Sequence, residues 1–125
     1  MRKKPRLTGL IVAVIILGFL ALFTEKRFLL TPKFAATEDK LENGREVYLQ
    51  NCADCHENGR DGAPAVGRKE LWRPRVEKGM YILIRHSVKG YEGEFGYMPP
   101  KGGNPGLAYD DVEAAVAYMV WQSTE

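Results

Sequence analysis

Cys52-Ala53-Asp54-Cys55-His56 is the stretch on which the reading of this chain turns. Two cysteines three residues apart on a helical turn present their thiols to one side, and a histidine follows at once. Such a C-x-x-C-H run is the attachment signature of a c-type haem. Its thiols reach two vinyl groups of one porphyrin and bond to both as thioethers, and the imidazole is then held beneath the iron. These are the only two cysteines in the chain. Other uses of them are zinc, a redox dithiol or a local disulfide. Zinc needs two further ligands, and the sequence has no second Cys or His pair. A thioredoxin-like dithiol needs a strand–helix context that is absent here, and a disulfide across two intervening residues is uncommon. The expected cofactor is one covalently attached haem c.

The surroundings of the motif read as helices joined by long loops. Thr37 is placed to cap a helix whose first turn holds Glu38 and Asp39, matching the positive end of the helix dipole. Leu41, Gly44, Tyr48 and Cys52 then share one stripe at helical spacing. Glycine inside a helix costs close to 1 kcal/mol relative to alanine, so Gly44 implies close packing against another element. Residues 58–67 read as a loop. A central helix is expected from Met80 to Lys89, with Met80, Leu83, Ile84 and Val88 on one face and Gly90 as its stop. Gly90 to Gly106 reads as another loop, dense in Gly and Pro. In the last helix Asp110 and Glu113 have the spacing of a capping box, and Val112, Val116, Met119 and Val120 follow at helical spacing. No period-2 strand of useful length is visible, so the domain reads as all-α. A small domain with long loops needs a staple, and a bound cofactor supplies one.

An iron held by His56 has a second axial position. Candidates are Met80, Met98, Met119 and His86. Met119 and Met80 lie on apolar helix stripes and are most simply core. His86 sits beside Arg85 and near Lys89, away from its helix's stripe. Met98 instead lies in the loop Tyr97-Met98-Pro99-Pro100-Lys101-Gly102-Gly103. The two prolines fix φ directly after it and lower the entropy lost in holding the loop over a flat cofactor. His56 and Met98 are the expected metal ligands; His86 or a water-bound site are the alternatives.

Outside this domain the composition changes. Residues 7–24 (LTGLIVAVIILGFLALFT) carry no charge, and as a helix they extend about 27 Å, the short end of a bilayer span. Arg2, Lys3, Lys4 and Arg6 precede the run, which places residues 1–6 in the cytoplasm and the globular part outside. The run is longer than a signal peptide's core, and Phe34-Ala35-Ala36 is a poor cleavage site, so an uncleaved anchor is expected rather than a removed signal. Residues 25–36 form a tether reaching at most about 40 Å, and residues 37–125 form the domain. Residues 1–36 hold seven Lys/Arg against one Glu, whereas residues 37–125 hold eleven against fifteen Asp/Glu. The overall +2 is therefore a cationic membrane flank joined to a mildly acidic domain, and nucleic-acid binding is excluded.

From Thr37 to Gln122 the chain resembles the small bacterial class I c-type cytochromes, most of all the cytochrome c-five subgroup. The resemblance rests on Cys52-x-x-Cys55-His56, Gly62-Ala63-Pro64, Trp72-Arg73-Pro74-Arg75, His86 before Gly90, Met98-Pro99-Pro100-Lys101-Gly102-Gly103, and an Ala-rich last helix with Tyr118-Met119. It implies three to five helices around one haem, beside the N-terminal transmembrane helix. It further implies that Gly44 and Tyr48 pack near Tyr118, and that the Pro64 carbonyl accepts from His56 Nδ1–H. Trp72 and Arg75 would face the haem propionates, with ordinary core the other reading of Trp72. Two departures mark this chain: many subgroup members carry a second Cys pair after the Met loop, absent here, and the stretch 90–97 (GYEGEFGY) is longer than usual.

With both axial positions filled by protein, no small-molecule substrate reaches the iron. The expected function is therefore electron transport without enzymatic turnover. A haem domain in the periplasm, on a single-pass anchor in the bacterial inner membrane, would pass single electrons between membrane-associated or periplasmic redox partners of a respiratory chain. A fixed subunit of a larger membrane oxidoreductase is the alternative, and a haem sensor or peroxidase a more distant one.

Overall fold

The computed structural model of the protein describes residues 15–16 and 36–125. The stub, anchor and tether read from residues 1–36 thus fall outside the described residues, apart from Ile15, Ile16 and Ala36. Among the described residues no helix is long and apolar enough to cross a membrane.

Helix α1 spans Glu38–Asn51 and begins as expected at Thr37, whose hydroxyl accepts from the Lys40 N–H at 3.4 Å. It buries Gly44, Val47 and Tyr48. The single non-helical residue Cys52 separates it from α2, Ala53–His56. Helix α4, Met80–Lys89, follows Gly79 and stops at Gly90, both at positive φ. Helix α5, Tyr109–Thr124, lies against α1 and buries Val112, Val116, Met119 and Val120 together with three alanines and Ser123.

The α1–α5 crossing explains the helix glycine. A Cβ on Gly44 would stand 2.1 Å from the Ala114 carbonyl oxygen and 3.1 Å from Tyr118 Cβ. One turn on, the rings of Tyr48 and Tyr118 meet at 5.4 Å between centroids. The short Ala side chains of α5 let the two backbones approach, and the aromatic pair seals the edge of the contact.

Two expectations need correction, and one helix goes beyond them. Helix α3, Lys69–Val76, was not visible in the sequence because it contains Pro74, a usual helix breaker, and charged residues obscure its period. The capping box of Asp110 and Glu113 does not form: α5 starts at Tyr109 after Ala108, with no side-chain cap, and Asp110 and Asp111 occupy its first turn. There they face the positive end of the helix dipole, so the acidic pair acts through charge rather than through a hydrogen bond. The stretch from Gly90 to Gly106 is also not plain loop. It folds into the antiparallel strands β1, Tyr91–Gly93, and β2, Gly96–Met98, with Tyr91 opposite Met98 and Gly93 opposite Gly96. Strands of three residues are too short to display an alternating pattern. The fold is accordingly mostly helical, with five α-helices and one small ladder among the described residues.

After β2 the chain turns through a 3-10 segment, Pro100–Gly103, in which Lys101 adopts a φ of 53°. The Lys101 ammonium donates to the Leu107 carbonyl at 2.7 Å and to Pro105 at 3.3 Å. Asn104 Nδ2 donates to Asn51 Oδ1 at 2.8 Å, tying this loop to the end of α1 beside Cys52. The Pro105 and Leu107 carbonyls are thus satisfied from within the loop, which also has a fixed seat on the motif-bearing helix.

Candidate functional site

Cys52 and Cys55 are both free thiols, half-buried, Cys52 between α1 and α2 and Cys55 within α2. The His56 N–H donates to the Cys52 carbonyl at 3.0 Å, which makes the motif one helical turn and sets both thiols and the imidazole on a single rigid unit. Burial, followed by the nearby Cys55, pushes the Cys52 thiol up to about 11, so it is protonated near neutral pH. Arg60, which the sequence did not single out, brackets the motif. It pairs with Asp54 at 2.6 Å, and its Nη2 lies 3.6 Å from Cys55 Sγ.

His56 is 7% exposed, and its Nδ1 lies 3.0 Å from the Pro64 carbonyl oxygen. A carbonyl only accepts, so Nδ1 carries the proton and Nε2 keeps its lone pair. Burial lowers the His56 pKa; the Pro64 bond opposes this, and the Arg75 charge adds to it. The ring is therefore neutral at pH 7, the form in which an imidazole binds a metal.

The segment carrying Pro64 is itself held at several points. The Val66 N–H donates to the His56 carbonyl at 2.7 Å. Trp72 Nε1 donates to Ala65 at 2.8 Å. Gly67 N–H donates to the Ser123 hydroxyl at 3.0 Å, and that hydroxyl donates to Met119 at 2.7 Å. Ser123 is fully buried, and sequence reasoning missed it. The available signal was its place four residues after Met119 on the apolar stripe, where a hydroxyl must find partners.

Trp72 is 4% exposed, with its ring 6.2 Å from that of His56 and its N–H engaged by Ala65. The structure thus shows a core tryptophan backing the imidazole. Arg75 is half-buried, and its guanidinium donates to the Leu71 carbonyl.

Met98 ends β2, half-buried, and borders one cleft together with Cys52, Leu107, Val116 and Met119. His56 does not border that cleft. Of the other candidates for an axial position, Met119 is 2% exposed in the core and Met80 packs against it. His86 stacks on Tyr91 at 4.2 Å between ring centroids.

This donor set suits a covalently held haem. Two unpaired thiols stand on one turn, a neutral imidazole is oriented by a backbone carbonyl, and a thioether borders an apolar cleft shared with the first cysteine. Among the described residues no group of His, Cys, Asp and Glu forms an alternative metal cluster.

Comparison with known proteins agrees with this reading. The family model for cytochrome c matches residues 41–123. Cytochrome c-555 of Chlorobaculum thiosulfatiphilum is 51% identical over 80 residues, covering 64% of this chain and 93% of the relative. Cytochrome c5 of Ectopseudomonas mendocina is 26% identical over 76 residues, covering 59% and 83% respectively. Similarity to cytochrome c-555 thus exceeds that to the c-five subgroup expected from the motifs. Among solved structures, a chain from the crystal structure of an electron transfer complex of nitrite reductase with cytochrome c is 33% identical. It has a TM-score of 0.58 and covers 65% of this chain and 94% of that one.

Proposed function

The chain belongs to the cytochrome c family, and, joining that to the uncharged run at residues 7–24, we propose that it is a membrane-tethered carrier of single electrons, working in the bacterial periplasm. Membership makes it a monohaem electron carrier rather than an enzyme, with haem c bonded through Cys52 and Cys55. When bound, the haem iron supplies a one-electron couple, at a raised potential where its ligands are His and Met.

The chain's own residues do the rest. His56 would hold the haem iron through Nε2, because Pro64 holds the other ring nitrogen, and the Met98 thioether would be the second protein ligand. Trp72 packs beside the His56 ring, and Ser123 fixes the loop behind it, so the imidazole is held in one orientation. A ligand set that does not rearrange keeps the reorganisation on electron transfer small. Held by both His56 and Met98, the iron would have no position open to a substrate, and the electron would pass without a bond to the partner.

The observation that carries this reading is the His56–Pro64 pairing one residue after the second thiol. Redox proteins are the expected partners, in keeping with the structural relative crystallised in an electron transfer complex with nitrite reductase. The hairpin offers such a partner a contact surface: Phe95 and Tyr97 are 72% and 62% exposed, flanked by the exposed Glu92 and Glu94.

Tethering rests on the uncharged run at residues 7–24 and the basic residues before it. A tether confines the domain near membrane complexes and raises its effective concentration there. Carbonate-washed membranes of cells making the full chain are expected to retain the haem-stained protein, and deletion of residues 7–24 behind a cleavable export signal to release it into the periplasm. Full-length protein recovered in the soluble fraction would overturn the tether. A native gel of mildly solubilised membranes separates a small mobile species from a fixed subunit of a large complex.

A further inference from the structure

Two glycines key the hairpin that carries Met98 to the turn that follows His56. A Cβ on Gly62 would stand 2.1 Å from the Phe95 carbonyl oxygen and 2.9 Å from Phe95 Cβ. On the other side, a Cβ on Gly96 would stand 2.0 Å from the Asp61 carbonyl oxygen. Each segment therefore occupies the space that a side chain on the other would need. No backbone hydrogen bond joins the two among the described residues, so the fit is one of shape alone.

Both partners of this interlock lie close to candidate ligands along the chain. Asp61 and Gly62 immediately precede Ala63 and Pro64, whose carbonyl orients His56. Gly96 and Met98 are two residues apart on one strand and so share a face. The base of the hairpin is fixed separately: Tyr91, opposite Met98, stacks on His86, and a Cβ on Gly90 would stand 3.0 Å from the Met98 carbonyl oxygen. With the base held on α4 and the tip held on the turn at 61–62, β2 has little freedom to swing.

We propose that Gly62 and Gly96 are positioning residues whose backbone interlock holds the Met98 thioether in its axial place. The proposal rests on the reading of Met98 as the second ligand. Either glycine, given a methyl group, drives the hairpin tip off the turn by more than an ångström, and Met98 moves with the strand. Gly62 also needs its φ of 80°, whereas Gly96 lies outside the positive-φ region, so Gly96→Ala isolates the steric effect.

Imidazole added to the oxidised full-length holoprotein, followed by its visible spectrum, reads how firmly Met98 is held. An incoming ligand binds in proportion to the fraction of molecules in which the thioether is away, so a tenfold rise in that fraction tightens the apparent Kd about tenfold. Gly96→Ala is expected to tighten imidazole binding by about tenfold or more, and Met98→Ala further still. Glu94→Ala is the control, because that side chain is exposed at the tip of the same hairpin; it is expected to bind as wild type. If Met98→Ala binds imidazole no more tightly than wild type, the reading of Met98 as a ligand fails. If Met98→Ala opens the iron and Gly96→Ala does not, the interlock is overturned while that reading stands. Should Gly96→Ala not accumulate, hydrogen exchange of the wild-type holoprotein decides. Saturating imidazole is expected to speed exchange of the hairpin amides while the α5 amides stay protected, and unchanged hairpin exchange would overturn the proposal.

Discussion

Serine at both Cys52 and Cys55 is expected to abolish haem staining of the denatured protein and, with it, cooperative folding. No other cysteine exists in the chain, so nothing else can form a thioether. The loss reaches beyond the cofactor because the apolar core of residues 36–125 is thin. Apart from Trp72, Tyr48 and Met119 its buried members are alanines, valines and one isoleucine. The long connections on either side of α3 and α4 bury little of their own. A domain of this size depends on a large flat apolar group to complete its interior. The double variant should therefore show neither stain on a denaturing gel nor a cooperative thermal transition in far-ultraviolet circular dichroism. Single variants keep one thioether and should stain. Staining of the double variant would place the attachment elsewhere and sink the assignment of the motif.

Gly44→Ala carries the second large effect. Its Cβ would stand 2.1 Å from the Ala114 carbonyl oxygen, which belongs to the α5 backbone and cannot turn aside as a flexible side chain can. The helices must separate by more than an ångström along their main contact, where Tyr48 and Tyr118 also meet. Overpacking of this kind costs about 3 kcal/mol, and the better helix propensity of alanine returns about 1 kcal/mol. The net loss of about 2 kcal/mol corresponds to a fall of roughly 10 °C in the thermal midpoint of a domain this size. Gln50→Ala, on the exposed face of the same helix, should stay within about 0.5 kcal/mol of wild type. A Gly44→Ala protein melting at the wild-type temperature would mean that α1 and α5 do not cross where the structure places them.

These two effects lie on the parts of the molecule most legible in the sequence. Cys52, Cys55 and His56 were legible because their chemistry depends on local spacing, which a sequence displays directly. Gly44 was legible because glycine within an amphipathic helix weakens that helix, a cost that close packing against a second backbone offsets. The bounds of α4 were equally plain, since Gly90 ends a clean apolar stripe. What escaped was set by contacts distant along the chain. Helix α3 hides behind Pro74 and owes its place partly to Trp72, whose partners lie in the 64–67 loop and beside His56. Ser123 matters only because Gly67 arrives opposite it, 56 residues away in the chain. The hairpin forms from strands too short to show a period, and Gly62 and Gly96 gain meaning only once the two segments are seen face to face. The Asp110 capping box failed for a subtler reason: α5 begins at Tyr109, before either acidic residue can serve as cap. The resemblance to class I cytochromes carried the Pro64 carbonyl contact, which no spacing rule would have yielded.

The proposed function rests on a single haem that accepts and releases one electron with its iron closed by the chain. A potentiometric titration of the full-length holoprotein, followed by its visible spectrum and repeated under carbon monoxide, tests it most directly. One reversible transition with a Nernst slope of about 59 mV per decade, identical with and without the gas, is expected. A slope for two electrons, two separate transitions, or a carbon monoxide adduct of the reduced protein would contradict it.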